Sequence, residues 1–190
     1  MLTNSSVCIL SLRYHECRTT GTQLLTPEEF ERLYAHQDTA YEYWFGEAVP
    51  KAMPSILHGI TQQMTSFLLL ELGYYTGVEV DLHIHPQWCP RPDVLVSTRK
   101  LERPYPTRSD DLFVVEVLSP DDSWSYVYKK CENYQHLTGI ETVFLLDPEI
   151  RKGWQWSPAL QNAERIDELV LPHGDTLPLT KIWERVDLQV

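Results

Sequence analysis

Two short apolar runs, each carrying one carboxylate, constrain this chain more than any other feature. One is Arg91-Pro92-Asp93-Val94-Leu95-Val96; the other is Leu112-Phe113-Val114-Val115-Glu116-Val117-Leu118-Ser119-Pro120. Short β-branched and apolar runs bounded by Pro, Asp and Ser read as buried strands. An ionised carboxylate in such a strand is costly unless it is paired, hydrogen-bonded or bound to a metal. Each acid alone has an ordinary explanation: Asp93 capping a turn, Glu116 paired with a base. Taken together, on neighbouring strands, they can converge on one divalent cation, since Mg²⁺ is held by one or two carboxylates plus water and phosphate oxygens.

The rest of the chain suits a layered domain. The 190 residues are enough for one domain with a sizeable core. The apolar fraction of 43% and charged fraction of 23% are those of ordinary globular proteins. No apolar run approaches the roughly 20 residues of a membrane span, so no membrane partner is expected. The stretch Ser6 to Leu12 lacks a preceding basic segment and is not read as a signal peptide. Cys8, Cys17, Cys89 and Cys131 are scattered without a C-x-x-C pair, the pattern of reduced thiols in a cytoplasmic protein. Sixteen Lys and Arg against 27 Asp and Glu give a net charge of −11. That balance argues against simple nucleic-acid binding, which rests on cations neutralising phosphates, but an enzyme needs only a local basic groove.

In chain order, residues 1–24 show no clean period and are expected as an irregular arm before a single domain at 25–190. Thr26-Pro27-Glu28-Glu29 carries the capping residue, first-turn proline and reciprocal acid of a helix start. Tyr41 to Pro50 reads as a hairpin turning near Gly46, with Glu47 the first acid able to join the later carboxylates. Pro54-Ser55 opens a second helix to about Leu72, and His58, off its apolar stripe, reads as a surface or capping residue. Val78 to His85 alternates as a half-exposed strand. His83, His85 and Cys89 superficially resemble a zinc site, but no fourth ligand has sensible spacing. Residues 99–111 form a polar loop whose Arg99, Lys100, Arg103 and Arg108 are the best phosphate-contacting patch. Asp121-Asp122-Ser123 caps a helix running to Gly139, and Val143 to Pro148 is a further buried strand. Gly153 to Trp156 and Glu168 to Leu171 read as edge hairpin strands. The fold class is therefore α/β or α+β, a mixed central sheet flanked by helices. The strands around Glu116 and Val143, joined through a helix, are expected to be parallel.

These markers, in order, resemble the Uma-type endonuclease family of the PD-(D/E)xK, restriction-endonuclease-like superfamily, from Leu25 to about Trp156. The resemblance rests on Thr26-Pro27-Glu28-Glu29-Phe30, Phe45-Gly46-Glu47-Ala48-Val49, His58 at a helix start, Pro92-Asp93, Val115-Glu116-Val117-Leu118-Ser119-Pro120, Lys130 with Tyr134 four residues on, and Val143 to Pro148. It implies that Asp93 and Glu116 bind Mg²⁺ or Mn²⁺ with the carbonyl of Val117, that Glu47 reaches the same site, and that DNA is the substrate. The superfamily's lysine two residues after the glutamate is replaced here by Leu118, and the resemblance points instead to Lys130 on the following helix, with Lys129 as the second choice. Tyr126 stands where the family carries an Asp, and the basic residues usual before it are missing. The resemblance therefore leaves two other readings open: a lapsed nuclease fold kept as a binding or assembly module, and a phosphohydrolase acting on RNA or small molecules. A homodimer, with Trp154 and Trp156 at its interface, would suit cleavage of both strands.

Overall fold

A computed structural model describes residues 24–34, 36–51 and 54–190. The expected arm lies almost wholly outside the described residues, as do Cys8 and Cys17. The chain folds as α1 (Pro27–Tyr34), β1 (Tyr41–Trp44), β2 (Glu47–Pro50), α2 (Ile56–Glu71), β3 (Tyr75–Val78), β4 (Trp88–Cys89), β5 (Val94–Ser97) and β6 (Leu112–Val117). It continues through α3 (Trp124–Asn133), a π-helical turn (Tyr134–Thr138), β7 (Val143–Asp147), β8 (Lys152–Ser157), β9 (Asn162–Ile166), β10 (Glu168–Val170), β11 (Thr176–Pro178) and α4 (Leu179–Asp187).

Six strands form one mixed sheet in the order β3-β5-β6-β7-β8-β9. Only β6 and β7 run parallel, and α3 makes the crossover between them, as the sequence predicts. Because side chains alternate across a strand, each central strand feeds two cores. Val94, Val96, Phe113, Val115, Phe144 and Leu146 pack with residues of α2 and α4, including Leu69, Ile182 and Val186. Leu95, Val114, Val143 and Leu145 pack on the other side, with Val127 and Cys131 of α3, Tyr134, Trp88 and Trp156. Ser55 caps α2 by accepting a hydrogen bond from the His58 N–H, and Ser123 caps α3 by accepting from Tyr126. At the start of α1, Thr26 and Glu29 exchange hydrogen bonds as a capping box.

Three expectations are corrected. The alternating stretch Val78 to His85 is not a strand: β3 ends at Val78, and Glu79 takes a left-handed φ of 54°. That bend breaks the ladder and leaves Val78 exposed, yet Val80, Leu82 and Ile84 still turn inward, with Leu82 fully buried. The edge strand beside β8 is β9, whose Asn-Ala-Glu-Arg-Ile has no apolar alternation to betray it, whereas β10 pairs with β11 in a separate ribbon. Trp156 is buried against Tyr128, and Trp154 packs edge-on against Trp124. Both tryptophans thus serve the fold of their own chain, and the expected dimer loses its aromatic patch.

Candidate active site

Strand register brings the two carboxylates together. Val94 pairs with Val115 in the antiparallel β5–β6 ladder, so Asp93, one residue before β5, continues the register opposite Glu116. By strand alternation both acids share the face of Leu95 and Val114, beneath α3. Asp93 Oδ2 accepts a 2.7 Å bond from the Val117 N–H, locking the β5 entry to the β6 end. Asp93 and Glu116 are only 3% and 7% exposed, and both line a cavity of about 60 Å³ with Lys51, His58, Tyr126 and Lys130.

Each acid has its own set of donors. Asp93 Oδ1 accepts from Gln62 Nε2 at 3.0 Å and Lys51 Nζ at 3.1 Å, with His58 Nε2 at 3.5 Å. Glu116 accepts from Lys130 Nζ at 3.0 Å and from the Tyr134 hydroxyl at 2.5 Å. Lys130 and Tyr134 stand one helical turn apart, the spacing that places two side chains on one face. The Lys130 ammonium also meets Glu42 Oε1 at 3.1 Å. Glu42 in turn accepts from the Arg91 N–H at 2.9 Å and Trp44 Nε1 at 2.8 Å. Lys51 extends the network to Glu79 Oε2 at 2.8 Å and the Arg91 carbonyl at 2.9 Å. Buried ions survive only when paired and hydrogen-bonded in this way, and removing one partner typically costs about 3–5 kcal/mol.

The electrostatics differ between the two carboxylates. Burial works to raise the Asp93 pKa, but the His58 contact and the charges of Lys51 and Lys130 hold it well below the usual carboxylate range. Burial pushes Glu116 up to about 7, with Asp93 and Glu42 adding to the rise and the Lys130 and Lys51 charges opposing it. Lys130 is raised well above the ordinary lysine value because Glu116 and Glu42 outweigh its burial.

The predicted residues fall into two groups. Asp93, Glu116, Val117 and Lys130 line one cavity. Glu47 does not join them: it is exposed on β2, paired in register with Trp44. The acid that β1 and β2 deliver to the cluster is Glu42, only 1% exposed. Its signal was present, an acid inside the aromatic run Tyr41-Glu42-Tyr43-Trp44. Lys129 lies outward, 3.5 Å from Glu132. His58, expected at the surface, is buried between the Ser119 hydroxyl and Asp93. Tyr126 stacks on Trp44 at 5.4 Å, closing one wall of the cavity with a ring instead of a charge. In the basic loop, Arg99 pairs with Asp111 at 2.5 Å and Arg108 with Glu102 at 2.6 Å, so two cations of the expected phosphate patch are taken by neighbouring acids. His83 stacks on Tyr105, and His85 Nδ1 accepts from the Gln87 N–H, roles unrelated to zinc.

The donor set fits a divalent cation. Within the cluster, the carboxylates of Asp93, Glu116, Glu42 and Glu79 face the ammonium groups of Lys51 and Lys130. Four carboxylates therefore stand against two ammonium groups in a largely buried site. Such an excess is what a divalent cation neutralises, and carboxylate and carbonyl oxygens suit Mg²⁺ and Mn²⁺. His58, Glu79 and Asp93 also offer three ligand atoms within 4.8 Å of one another.

Comparison with known proteins agrees with this geometry. The model of the family Uma2, described as "Putative restriction endonuclease", matches residues 27–190. A solved structure with a similar fold is that of a "putative nuclease belonging to DUF820" from Anabaena variabilis ATCC 29413. It superposes with a TM-score of 0.67 at 20% sequence identity, covering 85% of this chain and 99% of that one. No curated protein matches the chain.

Proposed function

The chain belongs to the Uma2 family, and from that premise we propose that it is a divalent-metal-dependent endonuclease that hydrolyses DNA phosphodiester bonds. The observation that carries the reading is the pair Asp93 and Glu116, buried opposite each other at one end of the sheet in a cluster of four carboxylates against two ammonium groups. Asp93, Glu116 and the Val117 carbonyl would hold Mg²⁺ or Mn²⁺. A bound ion supplies an acidified water and neutralises charge on the phosphate.

The protein's own groups supply the rest. Lys130 is held by Glu116 and Glu42 at the cavity wall, where its ammonium can orient a water and oppose developing negative charge. Tyr134 fixes the second oxygen of Glu116, so that carboxylate cannot rotate away from the cavity. His58 bridges Ser119 to Asp93 and ties the Ser-Pro turn after β6 to the site. A scissile phosphate would reach Asp93 and Glu116 through the open mouth of this cavity.

The second reading is a lapsed nuclease fold kept for binding or assembly. It is favoured by one observation: Asp93 and Glu116 each already have a lysine partner. Calorimetric titration with Mn²⁺ separates the two, run on the wild type and Asp93→Asn with and without a DNA duplex. The nuclease reading expects binding by the wild type, at least with duplex present, and none by the variant. No binding under either condition would leave the lapsed fold. Cleavage assays on duplex DNA, single-stranded DNA, RNA and small phosphodiesters then identify the substrate.

A further inference from the structure

Lys51 is a half-buried cation of the cluster that the proposed chemistry does not use. It follows β2 directly, its N–H held by the Ala40 carbonyl at 2.9 Å. Its ammonium has three protons to donate and three acceptors in place: Glu79 Oε2 at 2.8 Å, the Arg91 carbonyl at 2.9 Å and Asp93 Oδ1 at 3.1 Å. An ammonium so fully engaged has no proton left to offer a phosphate or a leaving group. It is surrounded by oxygens, two of them anionic, as a coordinated metal would be.

The acceptors around it also form the alternative donor set. Asp93 and Glu79 are two of the three residues whose ligand atoms cluster within 4.8 Å, and His58 is the third. Gln62 Nε2 bridges the same two acids at 2.8 and 3.0 Å, holding them in place. A cation-shaped arrangement therefore exists on the His58 side of Asp93, and Lys51 fills it. With Lys51 present the cluster sets four carboxylates against two ammonium groups; without it, four against one.

We propose that Lys51 is a built-in substitute for a second metal ion: it occupies the position between Glu79 and Asp93, so that this chain takes a single divalent cation, on the Glu116 side of Asp93. The inference rests on the metal-dependent reading of the site. It makes Lys51 a positioning residue that neutralises Asp93 permanently, and it assigns His58, Glu79 and Asp93 as a latent second site that opens when the ammonium is removed.

The test counts bound Mn²⁺ per chain by equilibrium dialysis and electron paramagnetic resonance, with a short DNA duplex present. The expected result is one ion for the wild type, two for Lys51→Met, one for Lys51→Arg, and one again for Lys51→Met combined with Glu79→Gln. Two ions in the wild type, or one in a folded Lys51→Met protein whose Asp93→Asn counterpart binds none, would overturn the inference and leave the metal-dependent reading standing. No ion in any variant would overturn both. Should Lys51→Met fail to fold, Glu79→Gln alone decides. The inference expects it to keep the single ion, whereas loss of that ion would make Glu79 a ligand of the resident metal and overturn the inference.

Discussion

Glu116 divides its two oxygens between an ammonium and a phenol, yet burial dominates its acidity. Its folded pKa of about 7 stands above the ordinary 4.5, so between those values the folded chain keeps a proton that the unfolded chain has released. Stability contributed by this group therefore falls as pH rises from about 4.5 to about 7, with a slope of at most about 1.4 kcal/mol per pH unit, and is level above. Glu116→Gln removes that slope. Urea unfolding of both proteins at pH 5 and 7.5 should show the wild type losing stability relative to the variant at the higher pH. An unchanged difference would mean that Lys130 and Tyr134 hold Glu116 ionised throughout. Asp93 runs the other way: its lowered pKa contributes stability that is present at neutral pH and lost only as acid protonates it. At this scale the sequence was readable wherever an acid sat in an apolar run. Glu42 carries the same mark as Asp93 and Glu116, an acid inside an aromatic run, whereas Glu47 follows the Gly46 turn.

The element that assembles the site is the β6–α3–β7 crossover. β6 delivers Glu116, and α3 with its terminal π turn brings Lys130 and Tyr134 down onto it. The π turn widens the helix at Tyr134, and the Thr138 hydroxyl closes it by bonding the Tyr134 carbonyl at 2.6 Å. Gly139 ends it with a left-handed φ of 75°, and a Cβ there would sit 3.2 Å from Ser109 Oγ. Gly139→Ala should therefore destabilise the fold by about 1–2 kcal/mol. Thermal unfolding would read this as a fall of a few degrees, and an unchanged midpoint would show that the turn relaxes freely. Helix boundaries and the parallel pairing were legible because capping residues, Gly139 and the apolar stripe are local signals. β9 was not, since an edge strand with polar residues needs only a partner, and that partner is far away in sequence.

Across the whole molecule the charge balance limits how DNA can be held. The net charge is −11, and Arg99 and Arg108 are committed to acids of their own loop. Two of the four cations of the basic loop are thereby drawn away from phosphates. Each phosphate contact contributes about 0.9 to the slope of log affinity against log salt. Binding of a DNA duplex, followed by fluorescence anisotropy with Mn²⁺ present, should therefore show a slope of no more than about 2–3. A steeper dependence would reveal a basic surface that forms only in the complex. No helix among the described residues is long and apolar enough to cross a membrane.

By itself the sequence determined the two carboxylate-bearing strands, the helices with their caps, the parallel crossover and the family resemblance. Those features arise from side-chain period, turn residues and short spacings, which act between neighbours along the chain. Only the tertiary structure decided which cation faces which acid. Lys51 meets Asp93 across 42 residues, and Lys130 meets Glu42 across the β1–α3 contact, because sheet register and helix docking place them together. It also decided that His58 is buried and Glu47 exposed. An ionised group enters a core only where its counter-charge waits, and that counter-charge belongs to another part of the chain.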